Sequence, residues 1–441
     1  MKIALVNQPI CQVLPPGLSS VGACSYGLAA SLAQNPANQV FIYGRQQTVN
    51  RELYPDIETD YVDRDIHFRF LPSPKSDQIL SKAARGFYQY VPFAPVFNRG
   101  MKPAPSQANW RYPGYARRVA QDIGQLDFDI IHIQHSSQFL PALREFSPKS
   151  KIILQLQAAL HPQSEGEMLA NRLQYADHIV AVGDHVVDKV RQRFPQVADR
   201  TTTLYNGFDV KYFTQEKDYN RDPQAVKRVM FAGRVTPEKG VHCLVEAFNS
   251  IAKRYPNVEL LIYGGLGIGL LEESFPMNNQ ALLESMRPLY KNYVQQLQNL
   301  LDPAIAPKVK FLGSVPYTEL MQQYYEADVF VFPPIWEEPF GLPPIEAMAA
   351  GTPAVGTRIG GVMETILHNK TGLLVEPNNP VALADAIVQL LQNDAMRESF
   401  GRAGRQHVFN HFTWDRIADR AMGLYDQMLN SRQTDKSHLL R

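Results

Sequence analysis

Apolar positions along the chain fall in short, unbroken runs rather than in strict alternation. Ile3-Ala4-Leu5-Val6 is the first; Val40–Tyr43, Ile130–Ile133, Lys151–Leu156 and Ile179–Val182 follow. Runs of this length, rich in β-branched residues, read as strands buried on both faces, the signature of a parallel sheet. Between them lie segments of helical period, such as Ala23–Gln34 with Leu28 and Leu32 on one face. A polar, charged stretch from Lys211 to Lys227 interrupts the rhythm, which restarts at Val229–Ala232. It continues through Leu260–Tyr263, Val309–Leu312, Ala327–Phe332, Pro353–Val355 and Gly372–Val375. Helical patterns occupy Val241–Arg254, Val381–Gln392 and Trp414–Leu429. Strand and helix alternating twice over predicts an α/β protein with one domain over residues 1–210 and a second over 211–410. A terminal helix is expected over 411–430, and a disordered polar tail over 431–441.

Candidate chemistry lies where these runs end, because open α/β sheets bind ligands beyond the carboxyl ends of their strands. The buried run Val329–Phe332 leads to Trp336-Glu337-Glu338-Pro339-Phe340-Gly341-Leu342-Pro343-Pro344-Ile345-Glu346. Pro343 and Pro344 suit the first turn of a helix, where N–H groups lack intrahelical partners. The N–H groups of Phe340, Gly341 and Leu342 then lie at its positive end, suited to a phosphate. Glu338 and Glu346 bracket this turn and repel phosphate, so hydroxyls or cations are their natural partners. A sugar nucleotide offers hydroxyls and a diphosphate together. After Val229–Ala232 comes Gly233-Arg234-Val235-Thr236-Pro237-Glu238-Lys239-Gly240, whose arginine and lysine can converge on one anion; an isolated pair of loop charges is more commonly just solvated. The run Gly264–Gly269 is a glycine-rich loop, weak evidence for nucleotide.

In the first half, a small-residue loop from Leu14 to Gly22 follows the first strand, in the manner of a Rossmann-like unit. It is equally readable as a plain connection. His132, Gln134 and His135 sit where Ile130–Ile133 exits, and Gln157 follows the next strand. Asp127-Phe128-Asp129 has the Asp-x-Asp form that can hold a metal on a diphosphate, but it directly precedes a buried strand. It is read as closing a helix-to-strand turn, and no metal site is assigned.

Composition narrows the class. The chain has 441 residues, a net charge of +1 and three cysteines. Near-neutral charge predicts no general nucleic-acid binding, and the scattered cysteines fit neither a disulfide framework nor a zinc site. No apolar run reaches membrane-spanning length. These features predict a cytoplasmic protein. Residues 70–118 depart from the average, with eight lysines and arginines against a single acid, Asp77, and many interleaved aromatics and prolines. That mixture suits peripheral contact with an anionic membrane, a lipid-linked or phosphorylated acceptor, or single-stranded nucleic acid. It also suits a proline-rich surface excursion.

Taken in order, Gly233-Arg234…Lys239-Gly240, Phe311-Leu312-Gly313 and Glu338…Glu346 with Phe340-Gly341-Leu342 resemble the retaining glycosyltransferases of family 4. Ala347–Pro353, Gly360-Gly361 and Thr371–Val375 extend the resemblance. It implies a GT-B architecture: two Rossmann-like domains with a deep interdomain cleft, and the last helix crossing back to the first domain. It further implies metal-independent transfer of a sugar, hexose-like, from a nucleotide-diphosphate sugar to an unidentified acceptor, with no cofactor. Arg234 and Lys239 would meet the diphosphate together with Gly233 and the N–H groups of Gly341 and Leu342. Glu346 would take the ribose, Glu338 a sugar hydroxyl, and the backbone at Val315 the base. The first domain departs from the family pattern: Ser19 and Ser20 stand for a Gly-Gly pair, and Gln134 (with His135 beside it) and Gln157 for two histidines. These five are the candidate sugar or acceptor contacts. Those departures keep a catalytically silent adaptor in view, alongside a GT-B epimerase or phosphorylase. Residues 266–308 look longer than the family pattern requires.

Overall fold

Each half of the chain gathers its apolar runs into one parallel sheet. In the first half these are β1 (Lys2–Val6), β2 (Gln39–Arg45), β3 (Asp60–Asp63), β4 (Ile66–Leu71), β5 (Ile130–Gln134), β6 (Lys151–Leu156), β7 (His178–Ala181) and β8 (Thr201–Thr203). They are ordered β3-β4-β2-β1-β5-β6-β7-β8. Every neighbouring pair is parallel except β3 with β4. The second half contributes β9 (Lys227–Ala232), β10 (Val258–Tyr263), β11 (Val309–Gly313), β12 (Val329–Phe332), β13 (Ala354–Thr357) and β14 (Gly372–Val375). Its all-parallel order is β11-β10-β9-β12-β13-β14. This computed structural model describes residues 1–15, 19–77, 79, 112–158, 166–220, 222, 224–265 and 280–438.

By internal contacts the chain divides into two compact units. One holds Met1–Gly207 together with the last helix, and the other holds the described parts of Phe208–Thr413. The first core packs Ile3, Leu5, Val40, Ile42, Phe68 and Phe70 with Ile417, Ala421 and Tyr425 of that helix. Its N-terminal residue, Trp414, sits against Gly27 and Gly207. Burying such side chains stabilises by about 1.5–3 kcal/mol each, which explains why the helix belongs to this unit despite its distance in sequence.

Some elements differ from the sequence pattern. The hairpin β3–β4 turns at Arg64 and Asp65, both with positive φ (50° and 61°), as a two-residue hairpin loop requires. No unbroken apolar run marks it, because β3 is an edge strand with Val62 exposed. The first helix begins at Ser20, three residues early, because Ser19 caps it by accepting from the Gly22 N–H at 3.1 Å. The final helix spans Trp414–His438, beyond the expected end near Leu429.

What positions a site is the strand order. From β1 the chain moves to β2 on one side and later to β5 on the other; from β9 it moves to β10 and later to β12. Loops leaving neighbouring strands at such a switch diverge and open a crevice. In the second unit those loops carry Arg234 with Lys239 and Glu338. In the first unit, Gln134 and His135 leave β5.

Candidate functional site

In the second unit the β9 and β12 loops are locked together. Gly240 has φ +69°, and a Cβ there would lie 1.8 Å from the Pro333 carbonyl oxygen. Only glycine permits both the conformation and the approach. The Ile335 N–H donates to the Glu238 carbonyl at 3.0 Å, a second tie. This contact brings Lys239 Nζ to 2.5 Å from Glu338 Oε2, which also accepts from Trp336 Nε1 at 3.0 Å. The ammonium lies 5.5 Å and 5.4 Å from the ring centres of Phe332 and Trp336, adding cation–π attraction. Both members of the pair are nearly buried, so removing either leaves an uncompensated charge.

Arg234 is held at its guanidinium. Glu238, fully buried, places Oε1 3.5 Å from Arg234 Nη2 and accepts there from Thr236 Oγ1 at 2.7 Å. Its other oxygen accepts from the Tyr290 hydroxyl. The arginine side chain itself is half-exposed. Gly233, at the start of the loop, donates its N–H to the Tyr263 carbonyl at 3.0 Å.

The helix Leu342–Ala349 starts where the prolines predict, with Gly341 as its N-cap at φ +92°. Among the described residues, nothing accepts from the N–H groups of Gly341 and Leu342. Phe340 is buried against Phe412. The turn is backed by Gly360-Gly361: the Gly361 N–H donates to the Glu338 carbonyl at 2.7 Å. Gly360 takes φ +53°, and a Cβ there would meet that carbonyl oxygen at 2.4 Å. Further along the helix, the Glu346 carboxylate accepts from Tyr317 at 2.7 Å and Tyr324 at 3.0 Å. Burial pushes its pKa up to about 7, and the two hydroxyl donors oppose the rise. Val315 is half-buried in the loop between β11 and the helix Tyr317–Glu326.

In the first unit, three of the five expected residues converge. Gln134 donates to Gln155 at 2.9 Å, Gln157 to Gln134 at 2.8 Å, and Asn206 to Gln157 at 2.8 Å. His135, at φ +60°, accepts the Gln157 N–H on Nδ1 at 3.1 Å. Burial lowers its pKa to about 4, so it is neutral near pH 7. Ser19 and Ser20 stand apart: the Ser19 hydroxyl caps a helix, and Ser20 is exposed on the first turn. Asp129 accepts from the Lys2 N–H at 2.8 Å, in keeping with a turn-closing role.

The basic-aromatic segment falls largely outside the described residues. At its described ends, Asp77 accepts from the N–H groups of Gly114 and Tyr115 at 3.1 and 2.7 Å, capping the helix Pro113–Leu126. Arg117 pairs with Glu145. Among the described residues, no helix is long and apolar enough to cross a membrane.

Partners missed from sequence are Glu238, Tyr290, Tyr317, Tyr324, Gln155 and Asn206. Glu238 carried the one available signal, an acid between two cations on a short loop.

Comparison with known proteins adds an independent line. Residues 213–407 match the family "Glycosyl transferases group 1", and residues 74–212 match "Glycosyltransferase Family 4". A spore coat protein of Bacillus subtilis, Spore coat protein SA, is 27% identical over 71% of this chain and 82% of its own length. Among solved structures, sucrose-phosphate synthase from Thermosynechococcus elongatus superposes with a TM-score of 0.68 at 22% identity, covering 98% of this chain and 99% of its own. The Anabaena protein HepE in complex with UDP-glucose superposes with a TM-score of 0.64 at 19% identity, covering 98% and 100%. These likenesses place the fold, two parallel-sheet α/β units, in the GT-B class.

Proposed function

The chain belongs to the group 1 glycosyltransferases of family 4, and from that premise we propose that it transfers a sugar, with retention of configuration, from a nucleotide-diphosphate sugar to a hydroxyl acceptor. One observation carries the reading. Two cations fixed by buried acids stand on the loop after β9, and a helix N-terminus with open N–H groups stands after the neighbouring β12. That set suits a leaving diphosphate. As the glycosidic bond breaks, negative charge grows on the β-phosphate. Preorganised donors stabilise it with no reorganisation at the moment of reaction. Arg234 and Lys239 supply charge, and Gly341 and Leu342 supply N–H groups. Glu346, with its lone pairs oriented by two tyrosines, accepts from the ribose hydroxyls. Glu338 shares its carboxylate between Lys239 and a sugar hydroxyl. The proton released by the acceptor passes to the departing phosphate, so neither glutamate acts as a nucleophile. Two fixed cations supply the charge a divalent metal would otherwise supply, so transfer survives a chelator. HepE's solved complex with UDP-glucose supports this donor class. The neutral amides after β5 and β6 suit hydroxyl groups rather than phosphate.

A thermal-shift screen of nucleotide sugars tests the reading, since a true donor stabilises by mass action. One donor should raise the melting temperature of the wild type, and Glu346→Ala should abolish most of that rise. A screen in which no nucleotide sugar stabilises the protein would count against it.

A further inference from the structure

Residues 280–299 pack onto the helix that follows the Arg234 loop and onto the loop that leads to Glu338. The segment runs as a helix Gln280–Met286, a turn Arg287–Tyr290 and a second helix Tyr293–Asn299. Three side chains reach out of it. Met286 is fully buried against Cys243, of the helix after the Arg234 loop, and Ile335, of the loop leading to Glu338. Tyr293 accepts from the His242 N–H at 3.0 Å and meets His242 Nδ1 at 2.8 Å. Tyr290 donates to Glu238, whose other oxygen faces Arg234.

We propose that residues 280–299 form a brace, in which Tyr290 orients Arg234 through the buried carboxylate of Glu238. The inference rests on the reading of Arg234 as a diphosphate contact. Its physical basis is that Arg234 has a half-exposed, flexible side chain, which must be aimed before it can bind. Glu238 can aim it only if its own carboxylate is fixed, and that carboxylate is fixed at both oxygens, by Thr236 and by Tyr290. The tyrosine stays protonated, because burial and the adjacent carboxylate both hold its pKa far above the ordinary value. Tyr290 is therefore a positioning residue that touches no substrate. Met286 and Tyr293 hold it in place, and Met286 also ties the helix after the Arg234 loop to the loop that leads to Glu338.

The test is a binding cycle with UDP, GDP and ADP as probes, each compared with its nucleoside. Tyr290→Phe should weaken the best-bound diphosphate about tenfold, the scale of one hydrogen bond to a charged group, and leave nucleoside affinity unchanged. A general loosening of the fold would instead weaken both. Arg234→Ala should weaken the diphosphate further, and adding Tyr290→Phe to it should change nothing more, because coupled residues are not additive. Tyr293→Phe, which removes only the His242 contact, should bind near wild type. If Tyr290→Phe fails to fold, Glu238→Gln reads the same relay with the same diphosphate-selective loss. Full diphosphate affinity in the Tyr290 variant, with Arg234→Ala impaired, overturns the brace and leaves the transferase reading standing. Full affinity in Arg234→Ala overturns both.

Discussion

In the segments that follow β9 and β12, ionisable side chains are matched before any ligand arrives: Lys239 by Glu338, Arg234 by Glu238, and Glu346 by two tyrosine hydroxyls. At the carboxyl ends of β5 and β6 the groups are neutral, a chain of amides through Gln155, Gln134, Gln157 and Asn206 beside an uncharged His135. Both sets follow strands of a parallel sheet, yet they suit opposite tasks. Fixed charge stabilises charge that grows during reaction. Amides, which both donate and accept, suit uncharged hydroxyls and do not change with pH.

The largest break of this contrast is Lys239→Ala. Loss of one charged donor from a preorganised site costs on the order of 10²–10³ in turnover, read as donor hydrolysis or transfer at saturating donor. The same variant strands Glu338 beside Trp336, so its melting temperature should fall as well. Turnover close to wild type would remove Lys239 from the chemistry.

Next in size is a pH effect of opposite sign in the two units. The Glu346 carboxyl is raised from 4.5 to about 7 by burial. Its stabilising contribution is therefore complete below pH 4.5 and lost as pH rises through 7, by up to roughly 3 kcal/mol. His132 and His135 are lowered from 6.5 to about 4 by burial. Their contribution is complete above pH 6.5 and lost as pH falls through 4. Melting curves of Glu346→Gln against wild type should converge at acid pH and diverge above pH 7, with the variant gaining. Parallel profiles would show that folding leaves the Glu346 carboxyl at its ordinary pKa.

A smaller effect separates the amide chain from the charged site. Gln134→Leu leaves Gln155 and Gln157 each short of a partner and should cost about 1–3 kcal/mol of stability. Nucleoside-diphosphate affinity should stay at its wild-type value. A drop in that affinity would mean the two sets do not divide the work as described.

The smallest is Tyr425→Phe. It removes the hydroxyl 2.7 Å from His132 Nδ1 and should lower stability by about 1 kcal/mol, the net value of one hydrogen bond. Denaturant unfolding reads it directly, and activity should be unaffected.

Much of this was legible in the sequence because it is local. Unbroken apolar runs mark parallel strands, since both faces of each strand are covered. Pro343 and Pro344 mark a helix start, since proline lacks the N–H that an interior position needs. Arg234 and Lys239 lie close enough on one loop to suggest a shared anion. Less local features went unread. The edge strand β3 is largely exposed and carries no hydrophobic signature, β4 alternates apolar and polar positions rather than forming an unbroken run, and the length of the last helix past Leu429 is not set by any apolar stripe.

What the sequence by itself determined, then, is the ladder of strands and the residue types at their ends. Which of those residues meet was decided only in three dimensions. Lys239 and Glu338 lie 99 positions apart and become a pair because β12 docks beside β9, bringing one loop onto the glycine of the other. Packing of residues 280–299 on the helix Val241–Arg254 brings Tyr290 to Glu238 across 52 positions. Tyr317 and Tyr324 reach Glu346 because their helix packs on the one that carries it. Hydrogen bonds and ion pairs act over a few ångströms, and strand order, which no local pattern encodes, decides which distant residues come that close.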